Sequence, residues 1–424
     1  MEDVLLLLND WWSSGFIGVD RAKSYRRIVF SDVLDAFSNY RQITVLCGLR
    51  RVGKTTIMYQ LIEELLKRGV NPRNILYFSF DEFVEDPVKI LNVYSKVTKV
   101  DWKSENVYLF LDEIHKLKGW SSKVKLLYDS LKNLRICISG SASIIVEREA
   151  MANLAGRCFF FEIPPLTLRE FVEIFFDRGM DNFEIYRDKL EMVFDDYIRK
   201  PFPEIVKWSD LRRVNEYIRS LVIEKVVRSD LIEIFGRVNP LLLSSLLEVF
   251  MKDVGVIINL SSMARDFGVH KLTLSEHVKF LEYGKIIRLV RNYRPSIRAE
   301  SRKLMKIYPY NIALSFCFYP KLSEGQIMEC LVGSAINANK YWRNKSMEID
   351  FLKIDGELVP IEVKSKDSIS QGDLKSIVLF MDKYDISKGI IVYSGKEASI
   401  KINDKKIILY PISKLLFDFS LPLI

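Results

Sequence analysis

A chain of 424 residues, 49% hydrophobic and 28% charged, has the balance of a soluble globular protein and the length of about two to four domains. No apolar run approaches the roughly 18–20 residues that span a bilayer, and the start Met1-Glu2-Asp3-Val4 is acidic where a signal peptide is basic, so a cytoplasmic protein with no membrane partner is expected. Three histidines (His115, His270, His277) and five scattered cysteines with no C-x-x-C pair leave little material for a zinc site or a Ser-His-Asp hydrolase, and the net charge of +8 leaves a polyanionic partner open.

In chain order, short β-branched runs alternate with amphipathic helical stretches from Ile43 to about Ile163. Ile43-Thr44-Val45-Leu46, Ile75-Leu76-Tyr77-Phe78, Val107-Tyr108-Leu109-Phe110-Leu111 and Ile136-Cys137-Ile138 read as buried parallel strands. Helices over 56–67 and 121–131 lie between them. The pattern is that of a doubly wound α/β core.

Directly after the first strand, Gly48-Leu49-Arg50-Arg51-Val52-Gly53-Lys54-Thr55 satisfies G-x-x-x-x-G-K-[ST] and opens a helix. This context gives the motif its meaning: glycines let the backbone curl so that N–H groups face a phosphate, and the helix N-terminus adds positive potential. Gly48, Arg51, Gly53, Lys54, Thr55 and Thr56 are therefore the expected ATP-binding positions. Lys54 would reach the β and γ phosphates and the Thr55 hydroxyl would hold Mg²⁺. Asp112 and Glu113 end the apolar strand 107–111, where a second Mg²⁺ ligand and a water-activating base must stand to reach a nucleotide at the sheet's carboxyl edge. Ser141, in Ser139-Gly140-Ser141, is the candidate sensor of the γ-phosphate, with a plain Gly-Ser turn as the alternative. Arg157 could complete the transition state in cis or from a neighbouring subunit of a homo-oligomer, with a surface arginine as the alternative.

These runs, with Trp120 after Leu111-Asp112-Glu113-Ile114, with Gly156-Arg157, and with Pro165-Leu166-Thr167-Leu168-Arg169-Glu170-Phe171, resemble the archaeal and bacterial AAA+-like P-loop ATPases that carry a C-terminal domain of unknown function. The likeness covers nearly the whole chain. It implies a P-loop ATPase core over 1–175 and a helical lid over 176–250. A winged helix-turn-helix over 251–308 and a C-terminal α/β nuclease-like domain over 309–424 would follow.

The run 260–269 looks like the first helix and turn of the winged helix-turn-helix, with Ala264 small where two helices cross and Gly268 at the turn. Thr273, Leu274, Val278 and Leu281 give the next helix its apolar face and leave Lys271, Ser275, Glu276 and Lys279 outward. Between Ile257 and Lys306 stand eleven basic residues against four acidic ones. The expected wing, 286–308, holds Arg288, Arg291, Arg294, Arg298, Arg302, Lys303 and Lys306 against Glu300 alone. Such a wing suits DNA phosphates, although winged helices in multidomain ATPases also serve protein contacts. The family's usual Lys-x-Tyr-x-x-Asp appears here as Lys306-Ile307-Tyr308-Pro309-Tyr310-Asn311.

Further on, strands are expected at 349–354, 358–363 and 389–393, with Asp355-Gly356 as a hairpin turn. Glu362 and Lys364 are two apart on one strand and so face the same side. The arrangement resembles the PD-(D/E)xK nuclease core, with Ile349 in place of the proline. That resemblance implies Mg²⁺ held by Glu329, Asp350 and Glu362, with Lys364 positioning water for phosphodiester cleavage. The expected protein is an ATP-hydrolysing, Mg²⁺-dependent AAA+-like ATPase coupled to DNA binding or DNA cleavage. The rival reading is a nucleotide-dependent switch for protein partners, in which the nuclease-like part is a catalytically inactive scaffold.

Overall fold

The computed structural model describes residues 1–422 except 82, 142–151, 181, 295–303 and 345–346. Arg298, Glu300, Arg302 and Lys303 of the expected wing lie outside the described residues. The chain divides into two units, Met1–Pro164 with Asp230–Gly236, and Pro165–Ser229 with Arg237–Ile424.

The first unit is built on five parallel strands: β1 (Ile43–Cys47), β2 (Ile75–Ser79), β3 (Val107–Asp112), β4 (Leu134–Gly140) and β5 (Cys158–Glu162). Their order is β2-β3-β4-β1-β5, and every neighbouring pair is parallel. Parallel neighbours need crossovers, which here include the helices Lys54–Lys67, Pro87–Thr98 and Trp120–Ser130. Because helices cover both faces, β1 and β2 are buried at every residue, and their sequences are unbroken apolar runs rather than alternating ones. The core joins Val45, Phe78, Leu111 and Ile138 of the sheet to Ile90, Tyr94 and Trp120 of the flanking helices. Parallelism has a further consequence: the residues that leave β1, β3 and β4 all emerge at one edge. Cys47 pairs with Gly140, and Leu111 with Ile138, so the phosphate loop, Asp112-Glu113 and Ser141 become neighbours there.

The second unit contains two five-stranded sheets. One has the order β10-β9-β7-β8-β6, from β6 (Val256–Ile258), β7 (Ile287–Asn292), β8 (Met305–Pro309), β9 (Lys340–Asn344) and β10 (Met347–Ile349). Helices Leu260–Asp266 and Lys271–Tyr283 stand between β6 and β7. Asn259 caps the first of them through the N–H groups of Ser261 and Ser262, and Gly268 turns the chain between the two at φ 64°. The other sheet has the order β11-β12-β13-β15-β14, from β11 (Phe351–Asp355), β12 (Glu357–Lys364), β13 (Lys388–Tyr393), β14 (Ala398–Ile402) and β15 (Lys405–Pro411). β11 and β12 form an antiparallel hairpin closed by Gly356 at φ 75°. The Phe183–Arg199 helix, within the stretch read as a lid, shares a hydrophobic core with the C-terminal helix Ile412–Asp418. Phe183 and Phe417 meet edge to face with ring centroids 5.7 Å apart.

Candidate functional site

The phosphate loop is shaped by two glycines for different reasons. A Cβ at Gly48 would stand 2.3 Å from the Ile163 carbonyl oxygen, so no side chain fits there. Gly53 sits at φ 99°, a backbone state that L side chains rarely adopt, and it starts the Lys54–Lys67 helix. Arg51 also has positive φ, 66°, and Thr56 lies in the first turn of the helix. Lys54 is buried, and its Nζ donates to the Gly48 and Leu49 carbonyls at 3.1 Å each.

Facing the loop, Asp112 accepts three hydroxyl hydrogen bonds: from Thr55 at 2.7 Å, from Tyr77 at 2.8 Å and a short one from Ser139. Burial and the adjacent Glu113 push its carboxyl above the usual aspartate range, against the pull of those hydroxyls. Thr55 and Asp112 thus present hard oxygen donors side by side, a donor set that fits Mg²⁺. Glu113 leaves β3 in the left-handed conformation, φ 51°, which turns its carboxylate back toward the loop. There it lies 4.0 Å from Lys54 Nζ and accepts from the Ser141 N–H at 3.0 Å. Burial pushes the Glu113 carboxyl up, but Lys54, His115 and Arg50 outweigh it and hold it down to about 2. An ionised carboxylate beside the phosphate loop can polarise a water molecule for attack on a phosphoryl group.

Arg157 stands elsewhere. Its carbonyl accepts from Ile43 N–H at the start of β1, the sheet edge opposite the phosphate loop, and its guanidinium pairs with Asp129 at 2.7 Å. Being at the wrong end of the strand, it cannot reach the phosphate loop of its own chain, which corrects the expectation of a cis role.

The C-terminal carboxylates differ from the expected arrangement in two respects. Asp350 and Glu329 come together, but around the ammonium of Lys306, which lies 3.7 Å from Asp350 and 3.6 Å from Glu329 and makes a short ion pair with Glu348. Glu362 instead accepts from Lys364 Nζ at 2.8 Å, and burial and Asp350 push its carboxyl up to about 8. Among the described residues no group of three or more His, Cys, Asp or Glu side chains is arranged to hold a metal. Residues 329, 350 and 362 as placed therefore do not fit Mg²⁺. Lys306 is also withdrawn from the wing, where it was expected to meet phosphates. Of the other described wing arginines, Arg288 donates to Asn337, Arg291 lies 3.6 Å from Glu282, and Arg294 donates to the Arg343 carbonyl at 3.0 Å. Lys271 and Lys279, on the helix before the wing, are exposed.

Comparison with known proteins bears first on the unit that carries the phosphate loop. Residues 40–172 match the AAA domain family. The AAA domain's fold is a nucleotide-binding one. Residues 193–319 and 321–415 match two families described as domains of unknown function, DUF8612 and DUF4143. The chain is 28% identical over 244 residues to an uncharacterized protein of Haemophilus influenzae, across 57% of this chain and 59% of that relative, less than two thirds of its length. It is 25% identical over 403 residues to an uncharacterized protein of Methanocaldococcus jannaschii, across 86% of this chain and 82% of the relative. Among solved structures, the Walker-type ATPase of Pyrococcus abyssi is similar at a TM-score of 0.43 and 16% identity, covering 70% of this chain and 97% of that one.

Two residues at the AAA domain's phosphate loop escape sequence reasoning. Asp230, from the short segment that rejoins this unit, grips Arg50 with two hydrogen bonds of 2.7 and 2.9 Å and accepts from Ser141 Oγ at 3.4 Å. It closes a π-helical stretch, Val226–Asp230, and lies 180 residues from Arg50, so no local pattern announces it. His115 is buried with Nδ1 3.2 Å from Glu113 Oε2, off the direction of a hydrogen bond. Burial, against the pull of Glu113, keeps its pKa below the usual histidine range. Its position two residues after Glu113 was the available signal.

Proposed function

We propose that the protein binds ATP with Mg²⁺ and hydrolyses it in the AAA domain. The observation that carries this reading is the convergence of Lys54, the Thr55–Asp112 pair and Glu113 on one phosphate loop at the carboxyl edge of a parallel sheet. Gly48 to Thr56 bind the phosphates, Lys54 neutralises their charge, and Thr55 and Asp112 would hold Mg²⁺, which would supply further positive charge against the phosphates. Glu113 orients and activates the attacking water, and Ser141, hydrogen-bonded to Glu113 through its N–H, reports the γ-phosphate. Arg157, half-buried on the opposite edge, would have to exchange Asp129 for a phosphate to serve a neighbouring copy in a homo-oligomer. The test is nucleotide binding and steady-state hydrolysis by the full chain. Lys54→Ala should lose both, and Glu113→Gln should keep binding and lose turnover; wild-type turnover in Glu113→Gln would remove the assigned base.

We further propose that the helix pair Leu260–Asp266 and Lys271–Tyr283 with β7 and β8 acts as a winged helix-turn-helix that meets DNA, supported by the exposed Arg265, Lys271 and Lys279. A salt-independent DNA affinity would count against it. One observation favours the rival reading for the C-terminal part, a scaffold rather than a nuclease: Lys306 is buried among the carboxylates that would have to hold the metal. On that reading the ATP cycle works on DNA or on protein partners, and the nuclease-like sheet does not cut.

A further inference from the structure

Alternation along β8 places Lys306 and Tyr308 on the same face, two residues apart, and both reach Glu329. The Lys306 side chain is only 5% exposed. Its ammonium is surrounded by carboxylates from separate elements: Glu329 from the helix Glu324–Ala335, Glu348 from β10, and Asp350 between β10 and β11. The Tyr341 ring adds a face with its centroid 5.6 Å away. Every carboxylate of the group has a further donor. Tyr308 Oη donates to Glu329 at 2.7 Å, Val363 N–H to Asp350 at 2.9 Å, and Arg343 lies 3.7 Å from Glu348. Burial opposes a charged lysine, but Asp350, Glu329 and Glu348 outweigh it and hold the ammonium well above the usual lysine range. A lysine ammonium so placed is as much a cation bound by oxygen ligands as a metal would be, and its charge answers the carboxylates that a divalent ion would need.

We propose that Lys306 is the permanent cation of this cluster. It gathers Glu329, Glu348 and Asp350 in the place of a divalent ion, and the C-terminal unit carries beneath it a latent metal site that opens only when the ammonium is removed. Glu362 precedes Val363, whose N–H holds Asp350, and its buried Oε1 has no hydrogen-bond partner among the described residues, so it is a further oxygen for the ion that Lys306 displaces. The inference deepens the scaffold reading of this unit and does not depend on ATP hydrolysis by the other.

The experiment is Mn²⁺ binding to the nucleotide-free full chain, read by loss of the free-ion electron paramagnetic resonance signal. Wild type and Asp350→Asn should take up Mn²⁺ identically. Lys306→Ala should gain a Mn²⁺ site, raise its melting temperature when Mn²⁺ is added, and lose both on adding Asp350→Asn. If Lys306→Ala does not fold, Lys306→Arg, which keeps the cation, should fold and take up no more Mn²⁺ than wild type; additional uptake by it would count against the proposal. Wild-type uptake that Asp350→Asn abolishes would overturn the inference. If the same wild type also failed to cut DNA, the scaffold reading would survive; Mn²⁺-dependent cutting lost in Asp350→Asn would overturn both.

Discussion

Both units place a lysine among acidic residues, two in the first and three in the second, yet the two clusters differ in what satisfies the carboxylates. In the AAA domain, Asp112 is held by the neutral hydroxyls of Thr55, Tyr77 and Ser139, while Lys54 points at the loop carbonyls and comes no nearer than 4.0 Å to Glu113. Neutral donors leave the negative charge of Asp112 for a metal. In the second unit, the ammonium of Lys306 lies inside the carboxylate group and consumes that charge. Counting acidic residues therefore does not reveal a metal site; the charge of their nearest donors does.

The largest expected effect sharpens the first half of this contrast. Glu113→Gln should lower kcat for ATP hydrolysis by about 10²–10⁴-fold with nucleotide affinity retained, as removal of a general base does. A next step breaks the loop's own ion pair. Asp230 is 2% exposed and Arg50 13%, so Asp230→Ala leaves a largely buried guanidinium without its carboxylate and should destabilise the first unit by about 3–5 kcal/mol, measured by urea unfolding. An unchanged midpoint would show that Arg50 finds another anion.

Smaller effects are expected at the surface. Lys271→Ala and Lys279→Ala should each reduce the salt slope of DNA binding by about one unit, because each removes one phosphate contact. Lys306→Ala should leave that slope unchanged, since Lys306 is buried. The smallest effect is a null one over most of the pH range. The Glu113 carboxyl is lowered from 4.5 to about 2, so the stability it contributes is present above its unfolded-state pKa and is lost only as pH falls through the folded one. Unfolding profiles of wild type and Glu113→Gln should run parallel from roughly pH 5 to 8 and converge or cross only in strong acid. A divergence within that window would mean that Lys54 and His115 do not hold the carboxylate down.

The first unit was legible because its signals are local. Gly48 to Thr55 and Asp112-Glu113 lie at strand ends, and a parallel sheet brings strand ends to one edge whatever the loops do between. Asp230 was not legible, because its partner is fixed by a tertiary path across 180 residues. The hairpin at Gly356 and the facing of Glu362 with Lys364 could be read from period-two alternation. What alternation could not reveal was that Lys306, counted with the wing's basic residues, faces inward: the strand carries it beside Tyr308 into the cluster around Glu329. A basic residue in a basic run reads as solvated, and only the packing of β8 against the Glu324–Ala335 helix decides otherwise.

The contrast between the two clusters is tested most directly by counting Mn²⁺ bound per full-length chain with and without a non-hydrolysable ATP analogue. Mn²⁺ should appear with the nucleotide, disappear in Asp112→Asn and be untouched by Asp350→Asn; Mn²⁺ that survives Asp112→Asn and is lost in Asp350→Asn would reverse the roles of the two clusters.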